Sequence, residues 1–270
     1  MLYERGVLLC LCSKSEERFI WKTFELPGML LKKEHIVAYR INHKNKAENI
    51  SLIAQELNLS TDSFVFIDDS DYELGLISSI MPEIYCIKYT QSQFNYSVLD
   101  EFFPSVEVSS LNRTKLYKEQ KQREKLKASC SSVEEYNRSL QTIYHCDRAS
   151  LEQILRLAEL SQRTHQFNLS NTHYTEKELH SLVQSTDYSV IALSASDIYG
   201  DMGIIGMAVI HNCVIESFML SCRVLERGFE LVLLNWIKSN ISNSLSGIYH
   251  KTDKNCRYCD FYESYGVKVI

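Results

Sequence analysis

Four short apolar runs, GVLLCLCS (6–13), HIVAYRI (35–41), SFVFIDD (63–69) and EIYCIKY (83–89), recur through the amino-terminal third of the chain. Between them, KSEERFIWKTFE, NKAENISLIAQELNL and DYELGLISSIM read as helical, the second with its apolar residues at clear helical spacing. Strands alternating with helices predict a parallel α/β sheet, in which ligands sit beyond the carboxyl ends of the strands. Ser13 ends the first run, and the adjacent carboxylates Asp68 and Asp69 end the third. Paired acids suit Mg²⁺, whose charge offsets their repulsion, and such an ion usually serves a phosphate. The same acids also suit a helix N-cap.

The pattern changes after residue 110. Between Arg113 and Lys127 there are seven Lys or Arg against two Glu, which predicts a solvated helical linker over 111–145 and, as an alternative, a docking surface for an acidic partner. From about 147 a helical stretch, DRASLEQILRLAELSQRT, precedes three runs, DYSVIALSA, GIIGMAVIH and CVIESFMLSCRV, whose tight connections favour an antiparallel meander. A helix (RGFELVLLNWIKSNI), a strand (SGIYHKT), a helix (NCRYCDFYESYG) and VKVI follow. The expected organisation is a partial α/β domain over 1–110, the linker, and an α+β domain over 146–270.

A chain of 270 residues with 45% hydrophobic residues has material for one large or two ordinary domains. A net charge of −5 gives no general attraction to nucleic acid or to an anionic membrane, and no apolar run approaches the roughly 18 residues that span a bilayer. Nine scattered cysteines, with no long apolar core near the start, point to free thiols in a reducing, cytoplasmic compartment. Cys256-x-x-Cys259 is a lone pair without two further nearby ligands, which favours a structural role over zinc or redox chemistry.

The first half resembles the phosphatases of the haloacid dehalogenase (HAD) superfamily. These need a nucleophilic Asp in a DxD element, a phosphoryl-binding Ser or Thr, a neutralising Lys and a metal-binding carboxylate pair. The resemblance implies Ser13 and Lys46 as phosphate ligands, with Lys44 as the fallback for Lys46, and Asp68 and Asp69 as metal ligands. The only carboxylate before Ser13 is Glu4, so the covalent step has no residue to perform it. A dead phosphatase step and weak or absent Mg²⁺ binding are expected. The absent element is the central strand of the family's sheet, so GVLLCLC and FVFID must pair directly or be completed by another chain.

The second half resembles GNAT-type acyltransferases. SCRVLERGFELVLLNW (221–236) places Arg223-x-x-Glu226-x-Gly228, with Arg227 inside it, before an amphipathic helix, and a helix N-terminus attracts anions. Glu226 stands where glycine is expected, which disfavours coenzyme A. NCRYCDFYESYGV (255–267) matches the family's segment with Asn255, Tyr262 and Gly266 in step. The family would add another strand after Ile270, so an open sheet edge is expected.

Together the halves resemble the FkbH-like family, HAD subclass IIIC proteins with a C-terminal GNAT-like domain. The resemblance runs through GVLLCLCSKS, NKAENISLIAQELNL, DSFVFIDDSDYE, RTHQFNLS, GDMGIIGMAVIH, SCRVLERGFE and NCRYCDFYESYG. Full members are larger, and this chain is expected to lack their N-terminal part. The fold implied is an incomplete HAD-like Rossmannoid parallel sheet plus a GNAT-like mixed α+β domain.

The reaction implied is dephosphorylation of bisphosphoglycerate, then transfer of its glyceryl group to the phosphopantetheine thiol of an acyl carrier protein in polyketide-type biosynthesis. With the first step dead, acyl handling remains. Cys222, beside Arg223 and near a helix N-terminus, is the candidate nucleophile, and its thiol is expected to ionise readily. His165, where the family has Asn, is the candidate base. Gln166 and Asn168 match the family as substrate ligands or loop-ordering residues, and Arg223, Arg227, Gly228, Asn255 and Tyr262 complete the substrate set. Two alternatives stand beside this reading. One is a non-catalytic interaction or scaffold protein, and the other is a Mg²⁺ phosphatase completed by a separate chain.

Overall fold

β1 (Leu9–Ser13) and β2 (Ile36–Ile41) pair in parallel, from Leu9 opposite Ile36 to Ser13 opposite Ile41, with α1 (Glu17–Phe24) between them in sequence. Next come α2 (Lys46–Leu57), β3 (Val65–Asp68), α3 (Asp71–Ile80) and β4 (Tyr85–Lys88). β3 and β4 form a second parallel pair. These features belong to a computed structural model that describes residues 2–91, 94–103 and 113–270. The chain divides into two compact units, Met1–Lys118 and Glu119–Ile270. The expected boundary at 110/111 lies outside the described residues.

The alternating α/β pattern of the first unit is as the sequence predicts, and its local signals explain the element ends. Asn45 caps α2 by accepting the Ala47 amide at 2.8 Å, and Asn58 closes it in the left-handed region at φ 50°. Ser70, rather than Asp68 or Asp69, caps α3. The direct pairing of GVLLCLC with FVFID does not form: β1–β2 and β3–β4 are separate two-stranded sheets. α4 (Val98–Phe102) ends the described elements before α5 (Arg113–Ser129), and the division between the units falls within α5.

The second unit continues through α6 (Val133–Ser139), β5 (Ile143–Arg148), α7 (Ile154–Arg163), α8 (Glu176–Gln184), β6 (Tyr188–Asp197), β7 (Gly200–His211), β8 (Val214–Leu220), α9 (Phe229–Asn240), β9 (Ser246–Gly247), α10 (Phe261–Ser264) and β10 (Lys268–Val269). The strands form one mixed sheet in the order β10-β9-β8-β7-β6-β5. β5 to β8 are antiparallel neighbours, as the meander predicts, whereas β9 runs parallel to β8 and β10 parallel to β9.

Both faces of this sheet are covered. Ile191, Leu193, Ile205 and Ile210 pack into the cluster that holds Leu233 and Phe261, while Val190, Ala192, Met207 and Val209 pack with Leu157 and Leu179. Neighbouring residues of one strand therefore serve opposite cores, which is why β6 and β7 read as near-continuous apolar runs.

The charged stretch departs from the expected solvated linker. It is helical through α5, but Arg123 and Glu119 are buried, and 143–145 already belongs to β5. Arg123 donates to both carboxylate oxygens of Asp197 at 2.8 Å, so the helix is anchored by a buried ion pair. Composition shows the excess charge but not which residue of the run turns inward.

Candidate functional site

Of the expected phosphate-site residues, Lys46 and Asp68 meet at the carboxyl end of β3. Lys46 opens α2, is buried, and holds the Asp68 carboxylate at 2.5 Å. Its ammonium also lies 5.8 Å from the centre of the Phe66 ring. The Ser70 amide donates to the other Asp68 oxygen at 3.0 Å. Burial opposes ionisation of Asp68, but the hydrogen bonds from Lys46 and Ser70 and the Lys46 charge outweigh it and keep the carboxyl below its ordinary range. Beside them Lys14 pairs with Glu73 at 2.5 Å. Ser13 is half-buried at the end of β1 and accepts the Asn42 amide through its carbonyl. Lys44 is exposed and pairs with Glu48, so Lys46 is the inward lysine.

The donor set does not fit Mg²⁺. Asp68 is committed to an ammonium and an amide, Asp69 is exposed, and among the described residues no three His, Cys, Asp or Glu side chains are grouped to hold a metal. The Lys46–Asp68 pair is an internal neutralisation, and breaking it strands a buried charge. Lys46→Met is expected to destabilise the first unit by about 3 kcal/mol, and the double change Lys46→Met with Asp68→Leu to recover most of that. Urea unfolding of Lys46→Met, Asp68→Leu and the double variant checks this, and a fully additive loss in the double variant would refute it.

In the second unit, β8 runs out at Leu220 into a tight turn, Cys222–Val224. Cys222 is exposed there. Arg223 bonds back to the Ser221 hydroxyl at 3.3 Å and the Met202 carbonyl at 3.4 Å. Glu226 takes a left-handed φ of 65°, and its carboxylate lies 3.0 Å from Lys127 and 3.4 Å from Arg257. Those two cations, Lys127 first, hold its carboxyl below the ordinary range. Gly228 precedes α9 at φ 83° with open space where a Cβ would stand, so glycine is required here by backbone conformation rather than by close approach.

Three residues expected to bind substrate are spent inside the fold. Arg227 is buried against Asp197 at 3.2 Å and the Thr142 hydroxyl at 2.9 Å. Asn255 is fully buried, donates to the Asn168 and His250 carbonyls, and accepts the Thr252 amide at 2.7 Å. Tyr262 is 1% exposed, with its ring packed where Gly247 lacks a side chain. Periodicity could not reveal this, because each partner is remote in sequence or is a backbone group.

The stretch around QFNLS (166–170) lies along β8. Asn168 bridges Met219 in antiparallel fashion, the Leu220 amide donates to Phe167 and the Leu169 amide to Phe218. Asn168 is buried, donates to the Thr172 carbonyl at 2.9 Å, and leaves its own Oδ1 without a partner. Gln166 is half-buried in the same stretch. His165 stacks edge-on with His173 at 5.3 Å. Partial burial first, then the charges of Lys254 and His173, hold its imidazole below the usual range. Cys256 and Cys259 are both exposed.

No family model matches this chain, and no curated protein does. Among solved structures it is similar to the N-terminal part of BF1531 from Bacteroides fragilis, which contains a phosphatase domain and is complexed with Mg; identity is 30% over 40% of this chain and 29% of that one, with a TM-score of 0.35. The chain thus spans 29% of the length of that structure. It is also similar to the ribosomal-protein-S18-alanine N-acetyltransferase from Escherichia coli, at 14% identity over 46% of this chain and 77% of that one, TM-score 0.36. A third likeness is to an aminoglycoside acetyltransferase, meta-AAC0020, from an uncultured soil metagenomic sample, in complex with trehalose. There the identity is 14% over 46% of this chain and 87% of that one, and the TM-score is 0.31.

Proposed function

We propose that the 119–270 unit transfers an acyl group through the Cys222 thiol, with His165 as base. The observation that carries this reading is that Cys222 stands exposed in the Cys222–Val224 turn that leads from β8 toward α9. His165, held below its ordinary range, is neutral and able to accept a proton at pH 7. It takes the Sγ proton, and the thiolate adds to a thioester carbonyl. A new C–S bond forms as the donor's C–S bond breaks, and the leaving thiolate takes the proton back from His165. The finer reading follows the resemblance: the thioester partner is the phosphopantetheine arm of an acyl carrier protein, the group is glyceryl-like, and the setting is polyketide-type biosynthesis in the cytoplasm. The exposed Lys121, Lys125 and Lys127 of α5 suit an acidic carrier docking by charge.

The test is intact mass after incubation with an acetyl-loaded carrier protein. The expected result is one acetyl adduct, lost in Cys222→Ala and slowed about 10²-fold or more in His165→Ala. Because the His165 pKa is lowered from 6.5, its neutral form persists on acidification. Adduct formation should therefore begin to fall only below about pH 6.5. An adduct retained in Cys222→Ala, or none on the parent protein, removes the reading.

The second reading, a non-catalytic interaction protein, is favoured by the internal commitment of Arg227, Asn255 and Tyr262. Absence of any adduct with carrier binding intact would support it. A phosphatase reading of the first unit needs a nucleophilic Asp, whereas the acid before Ser13 in this sequence is Glu4.

A further inference from the structure

Cys256 and Cys259 are both free and exposed, and neither is among the side chains of the core clusters, so neither sulfur is used up in packing. The chain between them is a tight turn, Cys256–Tyr258, in which the Tyr258 amide donates to the Asn255 carbonyl at 2.9 Å and the Cys259 amide to the Cys256 carbonyl at 3.3 Å. Residues three apart in such a turn eclipse one another, about 6 Å apart along its axis. A disulfide spans about 4.4–6.8 Å between Cα atoms, so this backbone puts the two thiols within bridging reach. Among the described residues no three His, Cys, Asp or Glu side chains are grouped to hold a metal, which leaves the pair short of a zinc ligand set.

Both thiols lie near one hydroxyl. Burial first, then the charges that Cys259 and Cys256 acquire on ionising, raise the Tyr249 hydroxyl above its ordinary range. That hydroxyl donates to the Asn255 Oδ1 at 3.3 Å, and Asn255 in turn donates to the Asn168 and His250 carbonyls. From within the turn, Arg257 reaches Glu226 at 3.4 Å, and the Tyr258 ring packs on Phe167 with centres 4.3 Å apart. The residues that flank and separate the two cysteines are therefore tied to the 166–170 stretch.

We propose that Cys256 and Cys259 form a reversible dithiol–disulfide site, oxidised by a low-molecular-weight disulfide, whose closure tightens the 166–170 stretch through Asn255 and Tyr258. Cys256 donates its S–H to the Asp253 carbonyl at 3.4 Å, which holds its proton, so Cys259 attacks first. With oxidised glutathione as the partner, the Cys259 thiolate adds to one of its sulfurs, the glutathione S–S bond breaks, and one glutathione thiolate leaves. The Cys256 thiolate then attacks the Cys259 sulfur of the mixed disulfide, the Cys256–Cys259 bond forms, and the second glutathione thiolate leaves. Two electrons pass to glutathione, and the two thiol protons end on the released thiols. A bridge across the turn removes its open conformations, so amides whose exchange depends on that opening are slowed. The inference stands independently of the acyl-transfer reading, since it uses neither Cys222 nor His165.

Intact mass and disulfide mapping of the full chain carrying Cys222→Ala, equilibrated in mixtures of reduced and oxidised glutathione, test it. The expected result is a loss of two hydrogens that maps to a Cys256–Cys259 bridge. The ratio of bridged to reduced protein should fall with the square of the reduced glutathione concentration, because two glutathione molecules are released. Cys256→Ser, at an exposed position, should stop at a mixed disulfide on Cys259, whose ratio falls only with the first power. Hydrogen exchange of the bridged form should be slower at both 256–259 and 166–170 than that of the reduced form. Mixed disulfides alone with both cysteines present, a bridge that maps to any other cysteine, an unchanged mass in a large excess of oxidised glutathione, or exchange at 166–170 that ignores the bridge would each overturn the proposal.

Discussion

Asp197→Ala is expected to destabilise the 119–270 unit by about 3 kcal/mol, because it removes the carboxylate that two buried guanidinium groups bond, leaving Arg123 with Glu119 at 3.9 Å. The Asp197 side chain is 0% exposed, against 2% for Arg123 and 5% for Arg227. Both of its oxygens are engaged by Arg123, Oδ2 also by Arg227, and Oδ1 accepts the Tyr199 amide. Urea unfolding followed by circular dichroism measures the loss, and a change under about 1 kcal/mol would show that the network is not a stabilising element.

The pH dependence has a definite sign. Burial raises the Asp197 pKa, but Arg123, the Tyr199 amide and Arg227 together lower it below its ordinary 3.8. A carboxyl with a depressed folded pKa binds protons more readily when unfolded, so its contribution is complete above the unfolded value and is lost as pH falls through the folded one. The parent protein should therefore lose this part of its stability below about pH 4, and Asp197→Ala should lack that part of the acid limb.

Asn255→Ala carries the second large effect, about 3 kcal/mol, since it orphans the Asn168 and His250 carbonyls and the Thr252 amide in a buried setting. The variant separates two roles for this residue. As a tie between 168, 250 and 252 it should lower the unfolding midpoint and loosen protection of 166–170 in hydrogen exchange. As a substrate ligand it would leave both unchanged and alter only substrate binding. Asn255→Asp should be at least as damaging, because a carboxylate would face two carbonyls where the amide donated to both.

Much of the element pattern was legible. The strand–helix alternation of 6–88 and the meander of 188–220 follow from runs of β-branched and apolar residues punctuated by polar turns. Shorter pieces were not: SGIYHKT contributes only Ser246–Gly247 as strand, and NCRYCDFYESYG splits into the turn Cys256–Tyr258 and the four-residue α10. Their conformation is set by what they tie, through Asn255 and Tyr262, rather than by propensity.

By itself the sequence determined which residue types stand at strand ends, that no acid other than Glu4 precedes Ser13, and that Cys222 and Arg223 open a loop before an amphipathic helix. Only the tertiary structure decided how those side chains are used. Lys46 and Asp68 neutralise each other, Arg227 turns from the loop to a buried carboxylate, and Arg123 leaves a charged helix to meet Asp197, 74 positions away. Spacing along a chain fixes which face of its own element a residue occupies, whereas a buried charge is satisfied by whichever partner the packing brings within hydrogen-bonding distance.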